Sequence, residues 1–451
     1  MSRARFTRRA LLGAAGLGAA GLGTSAGCLL PERPPPQIRL GKAVGPIARP
    51  RGEGLLVGAA RIDLTPPKGL PIWLAGFGFQ RRMREVRDPI SAQCIVFDDG
   101  SRRVALVVAD LIGLMRPSIE RVRRMVGSEI GVVVASTHNH ASPDTIGFWG
   151  PAILYAIPHR SGLEPSYLAG VEQRLAQVVE KAAVRARPAE LRLGTSRLPA
   201  GVAKNIRPPY VAPDDLLVLQ AVDAGDGTTL ATLVNFACHA ETQGPNAHRL
   251  TADFPGVLRA RVEDLVGGVS IFANGSLGGM IVPDVDDGAD VLERSRAIDR
   301  VGSLAAEAVK EALAAARPIS ARPVRLRQAI VDVPTTNDLF AMIERIGLVE
   351  PRPRGEAGLI TEVGRLDVGG LSFALLPGEP TPRIGARAQQ ILLASGAEQA
   401  AVIALASDEL GYLLDPEAQF DNPEFDYEAS MSPGREAAPV LLEALRNLPG
   451  D

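Results

Sequence analysis

From Leu55 onward the chain alternates short apolar runs with amphipathic stretches, and this alternation restricts the possible folds more than any other feature. Strand-like runs fall near 103–109, 130–136, 229–237, 269–273, 370–376 and 400–405, and helical patterns near 117–128, 167–186, 254–266, 290–315, 382–395 and 436–447. Short apolar runs suit strands buried in a sheet, and a stripe at helical spacing suits a helix lying on that sheet. The expectation is an α/β architecture of mixed sheets flanked by helices. No repeat of fixed period and no second linker interrupts it, so residues 54–451 read as one domain. The 46% hydrophobic and 22% charged content supplies an ordinary globular core.

The first 53 residues read differently. Residues 2–28, SRARFTRRALLGAAGLGAAGLGTSAGC, join the pair Arg8 and Arg9 to a Gly- and Ala-rich apolar stretch and a small-residue site before Cys28. This pattern is that of a twin-arginine export signal ending in a lipoprotein cysteine. The apolar stretch is too rich in glycine to be a comfortable spanning helix. Cleavage before Cys28 takes Lys plus Arg from 49 to 45 against 51 Asp plus Glu, a mature net charge of −6. An acidic exported chain does not track a phosphate backbone, so nucleic acid is not an expected partner. A small-molecule or lipid substrate is, with membrane association through lipid on Cys28. Residues 29–53, rich in Pro and Gly, read as a tether. Cys94 and Cys238 lie in apolar stretches and read as buried thiols; the compartment also permits a disulfide between them.

Polar residues collect just beyond the strand candidates. Asp110 follows VALVVA, His138 and His140 follow VVVAST, His239 follows ATLVNFAC, the loop NGSLGG follows SIFA, Glu379 follows LSFALLPG, and Asp408, Glu409 and Tyr412 follow AVIALAS. In open α/β sheets, ligands bind beyond the carboxyl ends of strands, so residues far apart in sequence can share one cleft. Imidazole and carboxylate are ligands for zinc, and a hydrolytic zinc keeps an open position for water. On an extended segment His138 and His140 project to the same side. His159 and His248 sit in polar, proline-containing loops and read as surface residues.

In order along the chain, VGAARIDLTPPKG, ASTHNHASPD, NFACHAETQG with LTADFPG, FANGSLGG, LLPGEPTPRIGAR and GYLLDPEAQF with DYEAS resemble the neutral/alkaline non-lysosomal ceramidase family. The matches run from about residue 57 to 434. The resemblance implies an α/β catalytic domain around one Zn2+ held by His138, His239, Glu379 and Tyr412. It implies that His140 faces the substrate carbonyl, and that Arg207 and Tyr427 lie near the substrate. Such a metal activates water and polarises an acyl oxygen, so amide hydrolysis becomes possible near neutral pH. His140 and Tyr412 would then hydrogen-bond a developing oxyanion or pass a proton to the leaving nitrogen. Asp253 is expected either to orient a ligand histidine or to cap a helix.

The chain departs from the family pattern in two places. GSLGGMIVPD has Val282 where the family places a serine before proline, and Ser276 upstream reads as a turn residue. One last helix follows DYEAS, so no C-terminal β-sandwich is expected. Metal-dependent hydrolysis of an N-acyl, ceramide-like amide is therefore weighed against hydrolysis of an ester or lactone, and against a noncatalytic binding protein that retains the fold. The acids of PDVDDGAD lack calcium-loop spacing and read as the solvated start of a helix. Trp73, Phe77, Phe79, Trp149 and Tyr155 either join the core or line an apolar pocket.

Overall fold

The computed structural model describes residues 54–153 and 157–448. The export signal with Cys28, the tether and Tyr155 lie outside the described residues. Within them the large elements follow the order β1 (Leu56–Asp63), β2 (Ser91–Asp98), β3 (Arg103–Ala109), α1 (Arg116–Val126), β4 (Gly131–Ser136), α2 (Pro165–Val184), β5 (Arg187–Arg197), β6 (Asp215–Asp223), β7 (Thr229–Phe236), α3 (Asp253–Val266), β8 (Val269–Asn274), α4 (Val291–Ala315), β9 (Arg317–Ile319), β10 (Val324–Pro334), β11 (Gly358–Val368), β12 (Leu371–Leu375), α5 (Pro382–Ala394), β13 (Gln399–Ile403) and α6 (Ala437–Arg446).

Two sheets result. The larger runs β8-β7-β6-β5-β1-β2-β3-β4 with β9 attached to β5, and the smaller runs β10-β11-β12-β13. Parallel pairing within them is confined to β3 with β4, β7 with β8 and β12 with β13. Each of these pairs is a strand–helix–strand unit, the connection that a parallel pair requires. The sequence candidates correspond to these six strands and to the helices. The remaining long strands, β1, β2, β5, β6, β10 and β11, pair only antiparallel.

The sheets pack face to face. Phe97, Leu106 and Val108 of the larger meet Leu366, Phe373 and Ile403 of the smaller in one apolar layer. On the outer face of the larger sheet, α1 and α2 cover Cys94, Val107 and Val134 with Ile119, Val122, Leu175 and Val179. There α3 and α4 cover Val218, Val234 and Phe272 with Leu258, Val262, Val301 and Val309. On the outer face of the smaller sheet, α5 and α6 place Ile384, Ala388, Leu441 and Leu445 over Val363, Ala374 and Val402. The arrangement is a helix–sheet–sheet–helix stack in a single domain. Each large apolar side chain so buried contributes roughly 1.5–3 kcal/mol before the entropy of ordering it.

Local signals act where expected. Asp290 caps α4 in a capping box with Glu293, so the acids of PDVDDGAD start a helix. Cys94 and Cys238 are both buried and free, in separate core clusters. Among the described residues no helix is long and apolar enough to cross a membrane.

Side-chain amides draw the strand ends together. The Asn274 Nδ2 at the end of β8 donates to the carbonyls of Thr137 (3.1 Å) and Cys238 (2.7 Å), and its Oδ1 accepts from the Cys238 N–H at 3.0 Å. Asn235 donates to the carbonyls of Ala273 and Val402, tying the larger sheet to the smaller. Asn139 and Ala240 form a parallel bridge between the segments that follow β4 and β7. The carboxyl ends of all three parallel pairs therefore meet at one place.

Candidate metal centre

His138, His140 and His239 stand at that meeting point, all buried, with one nitrogen of each within 4.8 Å of the others. Their rings are mutually edge-on, with centroids 4.8–5.6 Å apart. The route to this arrangement differs from the extended pair expected. β4 ends at Ser136, and His138 adopts a left-handed backbone with φ 60°. The chain leaves the sheet there, and His138 is one of seven non-glycine residues with positive φ among the described residues.

Backbone carbonyls orient two of the rings. His138 donates from Nδ1 to the Ile112 carbonyl and His239 from Nδ1 to the Ile281 carbonyl, both at 2.8 Å. These bonds set the tautomers and aim the two Nε2 atoms at one oxygen, Oε2 of Glu379, at 3.3 and 3.1 Å. Asp253, expected either to orient a ligand histidine or to cap a helix, makes no hydrogen bond to either of these rings among the described residues; carbonyls hold both Nδ1 atoms. Asp253 accepts from the N–H groups of Gln243 and Phe254, and it is the first residue of α3 rather than its cap.

Glu379 lies on the short strand Glu379–Pro380, which pairs in parallel with Tyr412–Leu413 and sets Glu379 directly beside Tyr412. The Tyr412 hydroxyl donates to Met280 Sδ at 3.4 Å. Burial, then the Glu379 charge, raises this phenol well above its usual range. Burial works against charge on both His138 and Glu379, but their proximity reverses it: the imidazole holds its proton up to about 9 and the carboxyl is driven well below its usual range. Two imidazole nitrogens closing on a carboxylate oxygen in a buried site form a donor set suited to a divalent borderline cation, which would replace the protons they share. His140 stands beside this donor set with both its ring nitrogens buried and without an aligned hydrogen bond.

The other expected residues form a second group against Tyr412. The Tyr427 ring lies 6.0 Å from that of Tyr412, and both join Phe425 and Met280 in a small apolar cluster. The Arg207 Nε sits 2.7 Å from Oε1 of the buried Glu428, next to Tyr427 in sequence. His159 is exposed, and His248 donates to the Arg82 carbonyl away from the cluster. Asp110 is occupied by a bidentate pair with Arg259 at 2.7 Å, and Asp408 by Arg352 at 2.5 Å; both are structural. Ser276 packs against Gly385 of α5, as a turn residue would. Val282 is buried in a short strand paired with Lys204.

Three residues near His140 escaped the sequence reading. Glu241, two positions beyond His239, places Oε2 3.3 Å from His140 Nδ1. Arg81 donates to the carbonyls of Ala75 and His140. Gly76, with φ 96°, lies so close to His140 that a Cβ there would overlap the ring. A spacing of two after His239, repeating the spacing of His138 and His140, was the available signal for Glu241. The aromatic residues divide as neither simple expectation required: Trp73, Phe77, Phe79 and Trp149 are all half-buried, and Phe77 meets the His140 ring edge-on at 4.9 Å.

A helix–sheet–sheet–helix fold with a buried histidine–carboxylate cluster at the carboxyl ends of its parallel strands is the class this chain defines. Among solved structures it shares that fold with neutral ceramidase from Pseudomonas aeruginosa, at a TM-score of 0.70 and 16% identity over 89% of this chain and 76% of that one. A ceramidase complexed with C2 gives 0.71 and 16% over 88% and 75%. No family model matches the chain, and no curated protein does. The neutral ceramidase fold is therefore established by architecture, at an identity too low to carry residue roles with it.

Proposed function

We propose that this protein is an exported, zinc-dependent hydrolase that cleaves an N-acyl, ceramide-like amide. The observation that carries the reading is the closure of His138 and His239 Nε2 on one Glu379 oxygen inside a fold shared with ceramidases. His138, His239 and Glu379, with Tyr412 beside Glu379, would hold the ion. When bound, zinc supplies Lewis acidity toward an acyl oxygen and makes water a competent nucleophile near neutral pH.

The protein's own groups do the rest. His140, kept neutral by burial and by the neighbouring imidazoles and Arg81, is free to form hydrogen bonds within the reacting group. Tyr412 and Tyr427, both held as phenols by burial, are donors for an oxyanion or a leaving nitrogen. Arg207 is ion-paired with Glu428, next to Tyr427 in sequence. The half-buried aromatics around Phe77 form an apolar wall suited to an acyl chain. Export through the Arg8–Arg9 signal and lipid on Cys28 would hold the enzyme at a membrane surface where such substrates reside.

Val282 in place of the family serine favours a second reading, hydrolysis of an ester or lactone by the same centre. Metal analysis of the purified protein, followed by N-acyl amides including ceramide, esters and lactones with and without chelator, separates the two. About one zinc per chain with chelator-sensitive amide cleavage is expected. Cleavage of esters or lactones alone would replace the first reading with the second, and a metal-free, inactive protein would leave only the binding role. Loss of a lipid label in Cys28→Ser tests the anchor.

A further inference from the structure

We propose that Glu241 is the positioning residue for His140: its carboxylate takes the Nδ1–H and leaves Nε2 presenting a lone pair to the site. The inference rests on the hydrolase reading above and gives His140 a more specific place in it.

Register is the first argument. The parallel bridge sets Asn139 opposite Ala240, so the segments His138-Asn139-His140 and His239-Ala240-Glu241 run side by side. One step back along both chains pairs His138 with His239, and one step forward pairs His140 with Glu241. The same backbone that assembles the metal-binding imidazoles thus delivers Glu241 to His140. The His140 N–H donates to the Ala240 carbonyl at 2.9 Å, which locks the two segments together at this point.

The second argument is what surrounds the ring. Gly76 abuts its Cγ–Nδ1 edge, Phe77 meets it edge-on at 4.9 Å, and Arg81 holds the His140 carbonyl at 2.9 Å. A ring so enclosed has little freedom to turn. Both its nitrogens are buried without an aligned hydrogen bond, and the acceptor near Nδ1 is Glu241 Oε2 at 3.3 Å. His138 and His239 each have a carbonyl oxygen hydrogen-bonded at Nδ1 at 2.8 Å; at His140 the corresponding oxygen is this carboxylate, at 3.3 Å and off the hydrogen-bond direction. The opposite tautomer would set the Nδ1 lone pair against the carboxylate in a site of low dielectric, which is unfavourable. With Nδ1 as donor, Nε2 is an acceptor. It is then fitted to receive a hydrogen bond from the attacking water, and is unable to donate one to the substrate carbonyl as the family resemblance alone implies.

The experiment is two-dimensional nitrogen–proton NMR of the histidine rings in 15N-histidine-labelled protein, metal-free and zinc-loaded, for wild type, Glu241→Gln and Glu241→Ala. His140 should be the Nδ1–H tautomer in wild type and in Glu241→Gln, whose amide oxygen still accepts, and should shift to Nε2–H or a mixture in Glu241→Ala. Zinc content should stay at wild-type level in all three. On whichever substrate is turned over, Glu241→Ala should lose kcat by roughly 10- to 100-fold with KM little changed, and Glu241→Gln should recover most of it. An Nε2–H tautomer in wild type overturns the proposal without any variant, as does an unchanged tautomer in Glu241→Ala or a loss of zinc that makes Glu241 a ligand. Absence of hydrolysis on every substrate would remove the hydrolase reading while the ring tautomer still decides the role of Glu241.

Discussion

At the scale of single residues, the two histidines of THNH, with one residue between them, have different partners: Glu379 for His138 and Glu241 for His140. His138 shares a carboxylate oxygen with His239, and His140 does not touch Glu379 by any hydrogen bond or ion pair found among the described residues. His138→Ala should therefore release zinc. His140→Ala should keep about one equivalent and lower turnover by roughly 10²- to 10⁴-fold, the range for a positioned acid or base. Zinc analysis beside steady-state kinetics checks both, and metal loss from His140→Ala would merge the two roles. Ser276 provides a contrast. Its side chain lies against Gly385 on α5, so Ser276→Ala should retain most activity, whereas Gly385→Ala should destabilise the fold because a methyl there would overlap the serine hydroxyl. Abolition of ceramide hydrolysis by Ser276→Ala would show that this serine has taken the role left open by Val282.

At the scale of elements, the junctions between sheets decide whether the site exists. Asn274 fastens the segments after β4 and β7 through three hydrogen bonds, all buried. Asn274→Ala should cost about 1–3 kcal/mol for each backbone group left without a partner. Its urea midpoint should fall and its zinc affinity weaken, because His138 and His239 are no longer fastened to one another. Asp99 makes a comparable junction in the β2–β3 turn. It accepts from Ser101 and Arg102 within the turn and from the Val324 N–H at the start of β10. Burial alone would raise this carboxyl, but those donors outweigh it and hold it at about 2. A depressed folded value means that the stabilisation is complete above the unfolded value of about 3.9 and is withdrawn as pH falls toward 2. The stability gap between wild type and Asp99→Asn should accordingly narrow between about pH 4 and pH 2, measured by denaturant unfolding across that range. A gap independent of pH would mean that the carboxylate charge contributes nothing to the junction.

At the scale of the whole molecule, the cluster gathers side chains from both sheets: His138 and His239 follow strands of the larger, Glu379 follows β12 of the smaller. An ion bound there joins the two halves and adds its binding free energy to folding. Zinc at about 100 times its dissociation constant should add about 2.7 kcal/mol, and the melting temperature should rise with free zinc and fall on chelation. Differential scanning calorimetry over a zinc series checks this, and a melting temperature indifferent to zinc would argue against a site that spans the sheets. The His138→Ala variant should lose the zinc dependence, while His140→Ala should keep it.

The parts of this structure legible in the sequence are those with local causes. Helices announce themselves by periodicity and capping, as at Asp290 with Glu293. The strands of the three parallel pairs are apolar runs lying beside helices, and the residues at their carboxyl ends were readable as a candidate site. The long antiparallel strands, such as β5 and β10, were not, because polar side chains, exposed in β5 and partly buried in β10, break their apolar runs and only pairing with other strands defines them. Tertiary structure alone decided the rest. Nothing local indicates that Ile112 and Ile281 carbonyls would set the imidazole tautomers, that Asn274 would tie two loops, or that Gly76 would make room for the His140 ring. Those contacts join residues tens to hundreds of positions apart, and they form only after burial has removed water as the competing hydrogen-bond partner. Periodicity and turn chemistry are properties of neighbours along the chain; a buried polar centre is a property of the packed interior that encloses it.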